Sequence, residues 1–208
     1  MKIKRYAVGP LETNCYHVIC DSSNKSVIID PGGVSESLIR DVSEKNLTAI
    51  LLTHGHFDHI GGAGKIAELT GAPIMIHDME AALLSDPESN GSSLFGTKLQ
   101  PVKPDRLLST GDFVSFGECS LKVLHTPGHT AGGISFITSD GFTIFSGDVL
   151  FRLSVGRWDL PGGDYRTLMN SLRTVFYPLP DAVVVYPGHG ESTTIGFEKK
   201  HNQFMMDQ

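Results

Sequence analysis

Five histidines and two aspartates of this 208-residue chain stand at the spacings of a two-metal hydrolytic site. The densest segment is Thr53-His54-Gly55-His56-Phe57-Asp58-His59, directly after the apolar run Ala49-Ile50-Leu51-Leu52. Three later segments supply further metal-capable side chains: Thr126-Pro127-Gly128-His129, Ser146-Gly147-Asp148 and Tyr186-Pro187-Gly188-His189. Neutral imidazole and carboxylate suit zinc, iron or manganese, and no cysteine lies in these segments. His54 and His56, two apart on an extended or turning backbone, can project to one side. Asp58 and His59 lie just beyond and can face a second ion. The spacing differs from the helical HExxH pattern, in which two histidines stack four residues apart. Gly55, Gly128, Gly147 and Gly188 permit unusual backbone angles and a close approach of the chain to the ions.

The charge arithmetic of such a site favours hydrolysis. Two divalent ions, two carboxylates and one hydroxide sum to about +1, and such a site lowers the pKa of bound water from about 15.7 to about 7. The resulting nucleophile attacks a carbonyl carbon while a metal stabilises the oxyanion. Asp58 is the candidate catalytic carboxylate, holding the proton of that nucleophile. A thiolate leaving group needs little acid assistance, which suits a thioester.

Elements that end in loops must position these residues. Cys15 to Cys20 and Val27 to Ile29 read as two strands around a turn, followed by Asp30. Ile134 to Ile137 and Phe142 to Phe145 repeat that plan, followed by Asp148. Helices fit between strands: one near residues 34 to 46 with Val34, Leu38, Ile39 and Val42 on one face, and one over Gly61 to Thr70 closed by Gly71. A third is capped by Asp164, carries Leu168, Met169, Leu172, Val175 and Phe176 on its apolar face, and ends at Pro178. Strands alternating with helices predict an α/β fold with two similar sheet halves packed face to face and the metal loops along one edge. The Pro- and Gly-rich stretch 86–105 predicts either a lid or a surface excursion packed by Leu94 and Phe95.

Composition bounds the remaining possibilities. The length suits a single domain spanning 1–208. A net charge of -6 gives no basic footprint, so neither nucleic acid nor an anionic membrane is expected as a partner. No apolar stretch approaches a membrane span, and no secretory segment follows the basic start, so a cytoplasmic location is expected. Cys15, Cys20 and Cys119 form no CxxC pair and read as small buried residues, with a reactive thiol as the alternative. His17 and His125 fall in predicted strands, His77 at a strand-to-helix junction and His201 near the C-terminus; none is assigned catalytic work.

The segment His54-Gly55-His56-Phe57-Asp58-His59 resembles the HxHxDH motif of the metallo-β-lactamase superfamily. Within it, Thr-Pro-Gly-His-Thr at 126–130, Ser-Gly-Asp-Val-Leu-Phe at 146–151, Gly-Arg-Trp-Asp-Leu-Pro-Gly-Gly at 156–163 and Pro-Gly-His-Gly at 187–190 resemble the glyoxalase II-like hydrolases, in the short bacterial form without the C-terminal helical domain. The resemblance implies a four-layer αββα sandwich. It also implies His54, His56 and His129 around one divalent ion, Asp58, His59 and His189 around the other, and Asp148 bridging them. Zinc is the expected metal, with iron or manganese as alternatives. Asp30 would orient a ligand imidazole, or else be a turn aspartate before Pro31-Gly32.

The activity so implied is cleavage of a small thioester, S-lactoylglutathione first, by a hydroxide bridging the two metals. Arg157 falls where the pattern carries a basic substrate-binding residue; the alternative is an arginine paired with Asp159 or Asp164. Rival readings are a persulfide dioxygenase with a single iron, a lactonase, β-lactamase or other ester hydrolase, and a metal-binding protein without turnover.

Overall fold

The β-branched and aromatic runs become strands in the computed structural model, which describes residues 1–206. By backbone proximity the chain divides into two compact units: Met1–Leu108 with Val114–Ser120, and Ser109–Phe113 with the chain from Leu121 onward.

A six-stranded mixed sheet occupies the first unit. In order across the sheet its strands are β1 (Lys2–Val8), β2 (Thr13–Ile19), β3 (Lys25–Ile29), β4 (Asn46–Leu51), β5 (Ile74–His77) and β6 (Arg106–Leu108). β1, β2 and β3 are antiparallel, while β3 to β6 run parallel. Parallel neighbours require crossover segments. The β3–β4 crossover carries α1 (Glu36–Ser43), capped by the Ser35 hydroxyl, which accepts from the Leu38 amide at 3.2 Å. Val34 precedes this cap and is exposed, so the helix is shorter than its predicted apolar face. The β4–β5 crossover carries α2 (Phe57–Ile60) and α3 (Ala63–Thr70). α3 stops where predicted: Gly71 takes φ 71° and its amide donates to the Ala67 carbonyl. Leu38, Val42, Ile66, Ile28, Ile50 and Ile76 form the buried core between these helices and the sheet.

The second sheet also has six strands, in the order β14 (Thr193–Thr194), β13 (Val184–Pro187), β10 (Thr143–Gly147), β9 (Ile134–Thr138), β8 (Cys119–His125) and β7 (Phe113–Phe116). β11 (Leu150–Phe151) and β12 (Ser154–Val155) pair separately. β9 and β10 form the expected antiparallel hairpin, and β10 then pairs in parallel with β13. Between β10 and β13 lies α4 (Tyr165–Ser171), whose cap is Asp164: its Oδ1 accepts from the Thr167 amide at 2.8 Å. The helical path continues as a π-turn over Leu172–Phe176 before Pro178 ends it. Leu168, Leu172 and Phe176 are fully buried with Ile144, Val185 and Ile195, the last on α5 (Ile195–His201).

The stretch 86–105 contains turns and no strand. Its expected apolar anchors behave differently from each other. Leu94 is 77% exposed, whereas the Phe95 ring centroid lies 4.8 Å from that of Phe57. Cys15 and Cys20 are buried as expected, but Cys119 is partly exposed. The C-terminal Asp207 and Gln208 lie outside the described residues.

Candidate metal centre

In the first unit, two adjacent parallel strands end side by side and deliver the site. β3 runs into Asp30, whose amide donates to the Leu51 carbonyl at 3.0 Å. β4 runs into Thr53, whose amide donates to Asp30 Oδ1 at 2.7 Å. That bond ends the ladder and turns the chain into His54. α2 begins just after His56 and places Asp58 and His59 on one short turn. His54, His56, Asp58 and His59 are all buried. The ligand-capable atoms of His54 and His56 lie within 4.8 Å of each other, as do those of His54 and His59, and of Asp58 and His59. The His54 ring centroid is 4.8 Å from that of His56 and 4.1 Å from that of His59.

One buried carboxylate sets the tautomers of two of these imidazoles. The Thr53 hydroxyl donates to Asp30 Oδ2 at 2.6 Å, so it can only accept from His54 Nδ1, 3.0 Å away. His59 Nδ1 donates to the same Oδ2 at 3.0 Å. Both rings therefore carry their proton on Nδ1 and present Nε2 as the basic atom. Asp30 itself holds φ 49°, the strained left-handed region, as befits a residue turned out of a strand to make these contacts. Asp30 thus bonds a residue of the next strand end and a candidate ligand ring, beyond its own turn. The plane of Asp58 is fixed in a similar way, since the Thr13 hydroxyl donates to its Oδ2 at 2.9 Å.

The second unit presents a smaller cluster. β10 ends in Gly147 and delivers Asp148; β13 ends in Pro187 and delivers His189. The amide of Gly188 donates to the Gly147 carbonyl at 2.8 Å and keeps these two strand ends together. Asp148 Oδ2 lies 3.7 Å from His129 Nε2 and 3.6 Å from His189 Nε2. His129 Nδ1 donates to the Arg157 carbonyl at 2.8 Å, which again leaves Nε2 as the basic atom. The loop before His129 rests on α4: the Ser171 hydroxyl donates to the Pro127 carbonyl at 2.7 Å. A side chain at Gly128 would place Cβ 2.2 Å from the Leu168 amide nitrogen, so only glycine allows that approach.

Arg157 thus contributes its backbone. Its exposed guanidinium is forked onto Asp159, with bonds of 2.9 and 3.0 Å. The pairing with Asp159 that the sequence allowed is present. None of His17, His77, His125 and His201 belongs to a ligand-capable group among the described residues: His17 and His125 lie in β2 and β8, His77 ends β5 before a 3₁₀ turn, and His201 ends α5, a helix the sequence did not announce.

Several contributors escaped the sequence reading. Thr53 and Thr13 look like ordinary strand-end threonines, and the Arg157 carbonyl has no sequence signature at all. Thr53 alone had an available cue, its position between an apolar strand and the first ligand. Paired histidines and carboxylates without thiolate suit a divalent ion with borderline or hard preference.

Comparison with known proteins decides the family. The Metallo-beta-lactamase superfamily profile matches residues 8–189. The chain belongs to the metallo-β-lactamase superfamily. It has the metallo-β-lactamase fold, α/β with two mixed sheets and few helices. It is 38% identical over 209 residues to hydroxyacylglutathione hydrolase GloC of Haemophilus influenzae, covering 99% of this chain and 98% of that one. The crystal structure of BLEG-1 B3 metallo-beta-lactamase matches with a TM-score of 0.92 and 41% identity, over 98% of this chain and 99% of that one. The structure of TTHA1623 in a di-iron-bound form matches with a TM-score of 0.86 and 38% identity, over 97% and 99%. Membership of this superfamily indicates hydrolytic chemistry, and the histidine–aspartate clusters indicate divalent metal binding. No helix among the described residues is long and apolar enough to cross a membrane.

Proposed function

We propose that this protein is a dinuclear metal-dependent thioesterase of the glyoxalase II type, with S-lactoylglutathione as its first candidate substrate. The observation that carries the metal assignment is the set of oxygen acceptors behind His54, His59 and His129, each engaging Nδ1. Such partners orient metal-ligating imidazoles and raise their basicity. In this reading His54, His56 and His129 would hold one ion and Asp58, His59 and His189 the other, with Asp148 as a shared ligand. Two divalent ions, when bound, supply a nucleophile at neutral pH and polarise the substrate carbonyl. The residues do the rest. Thr13 pins the Asp58 carboxylate at Oδ2, and that carboxylate accepts and orients the proton of the attacking water. Asp30 holds the first-unit imidazoles in one tautomer throughout. Arg157 can clamp a substrate carboxylate only by exchanging Asp159 for it. The thioester preference rests on the likeness to the hydroxyacylglutathione hydrolase across nearly the whole chain.

A second reading has a specific observation behind it, the 41% identity to a protein described as a B3 metallo-β-lactamase. The deciding assay offers purified protein S-lactoylglutathione and, separately, a chromogenic cephalosporin. Metal content is measured on the same sample. Thioester turnover with about two metal ions per chain is expected. Cephalosporin cleavage without thioester turnover moves the substrate to β-lactams. Oxygen consumption on a persulfide with one iron per chain would overturn the dinuclear hydrolase.

A further inference from the structure

His54 and His56 can act as a ligand pair only if the peptide between them is held still. That peptide is gripped from outside the motif. The Gly55 amide donates to Glu80 Oε2 at 2.8 Å, and Glu80 is 1% exposed. Glu80 lies on the 3₁₀ turn Asp78–Ser85, which follows β5. A side chain on Gly55 would bring Cβ to 2.5 Å from Leu83 Cβ and 3.3 Å from the Glu80 carbonyl oxygen. The loop therefore sits directly on this turn. Two residues further, the Phe57 amide donates to the Asn90 carbonyl at 2.9 Å. Asn90 Nδ2 donates to the Leu83 carbonyl at 2.9 Å, which ties the second grip to the first. Alternate amides of the motif, 55 and 57, are thus held by one segment.

A carboxylate is costly to bury and persists where donors satisfy it. Here a donor is the backbone of the candidate metal loop, and the bond to it is charge-assisted. We infer that Glu80 is a positioning residue for the metal pair: its carboxylate locks the Gly55 peptide and presets the spacing of His54 and His56 before any ion arrives. The role in metal affinity rests on the metal-centre reading above; the locking of the loop does not.

The test uses the full chain with Glu80→Ala, Glu80→Asp and Glu80→Gln. Hydrogen–deuterium exchange of residues 54–59 is followed in metal-free protein, and zinc affinity is measured by competition with a chromophoric chelator. Glu80→Ala should speed exchange in this segment and weaken zinc binding by about tenfold or more, the usual scale for partners of metal ligands. Glu80→Asp keeps the charge but withdraws the oxygen by one methylene, so it should behave like the alanine variant. It serves as the decisive variant should the alanine protein fail to fold. Glu80→Gln keeps an acceptor at the same reach and should recover most of both losses. Exchange in Glu80→Asp equal to that of the parent overturns the inference, as does a Glu80→Gln protein as damaged as Glu80→Asp. A parent protein that binds no zinc removes the metal-centre reading, while the exchange comparison still decides whether Glu80 locks the loop.

Discussion

At the scale of single residues, Asp30 is the group on which the first cluster turns. Its two oxygens receive the Thr53 amide, the Thr53 hydroxyl and the His59 ring. Replacing it with alanine strands a buried amide and frees two imidazoles to change tautomer. The expected result is a loss of about 10- to 100-fold in metal affinity, with hydrolysis falling in step. Asp30→Asn separates the causes. The asparagine oxygen can serve the Thr53 amide, but a neutral amide cannot accept from both Thr53 Oγ1 and His59 Nδ1 as the carboxylate does. Metal titration of both variants beside the parent checks this. An Asp30→Asn protein with parental affinity would show that tautomer control by the carboxylate is not needed.

At the scale of elements, what was legible followed a local signal, and what was not depended on distant approach. The HxHxDH segment and its three companions are readable because ligands cluster within a few residues of strand ends. The Asp164 cap and the Gly71 stop are readable because each acts within one helical turn. The start of α1 was misjudged because Val34 fits the helical period, yet Ser35 caps after it. Glu80 was invisible because its contact spans 25 residues of chain. Gly156 is another case. It shows no positive φ, so backbone freedom does not explain it. It is small because a Cβ there would stand 1.8 Å from the Asp148 carbonyl oxygen. Its amide donates to the Val149 carbonyl at 3.2 Å, which holds the two segments in register. Gly156→Ala must push Asp148 away from His129 and His189 or displace the Arg157 carbonyl. Overpacking of this kind costs about 1–3 kcal/mol, which for a chain of this size lowers the melting temperature by roughly 2–12 °C. Calorimetry and metal titration of the variant should show both losses together. Loss of stability with parental metal affinity would mean that the strain relaxes away from Asp148.

At the scale of the whole molecule, each unit repeats one plan. An antiparallel hairpin ends in an aspartate, a helical crossover follows, and a parallel strand ends in a histidine loop. The weak internal echo in the sequence reported this correctly, because both the strand runs and the terminal aspartates recur at similar spacing. The echo could not report what the first unit adds outside the plan, a partly buried ionic cluster joining β1, β2 and α1. Asp41 of α1 is bonded by Lys4, by His17 Nδ1 at 2.6 Å and by the Tyr6 hydroxyl at 2.9 Å. Burial alone would raise the Asp41 pKa. Hydrogen bonds from Lys4, then His17 and Tyr6, overcome this and hold it at about 2, against 3.8 for an ordinary aspartate. Burial also lowers His17 below its ordinary 6.5, with Asp41 opposing only in part.

Both shifts act in the same direction on global stability. For His17 the unfolded chain takes up a proton first, so its contribution is complete above pH 6.5 and is lost as the pH falls below that value. For Asp41 the contribution is complete above pH 3.8 and is lost as the pH falls through that value toward 2. Urea unfolding of metal-free protein should therefore show stability falling in two stages on the acid side. Metal must be absent because proton-driven release would add its own slope. Asp41→Asn should cost about 1–2 kcal/mol at neutral pH, since charge-assisted bonds are lost while Lys4, 32% exposed, keeps part of its hydration. It should also flatten the lower stage, because the titrating carboxylate is gone. The upper stage should persist, since a neutral buried His17 still resists its proton. A variant that keeps the parental fall between pH 4 and 2 would show that other carboxylates drive the acid limb and that the Asp41 cluster serves packing alone.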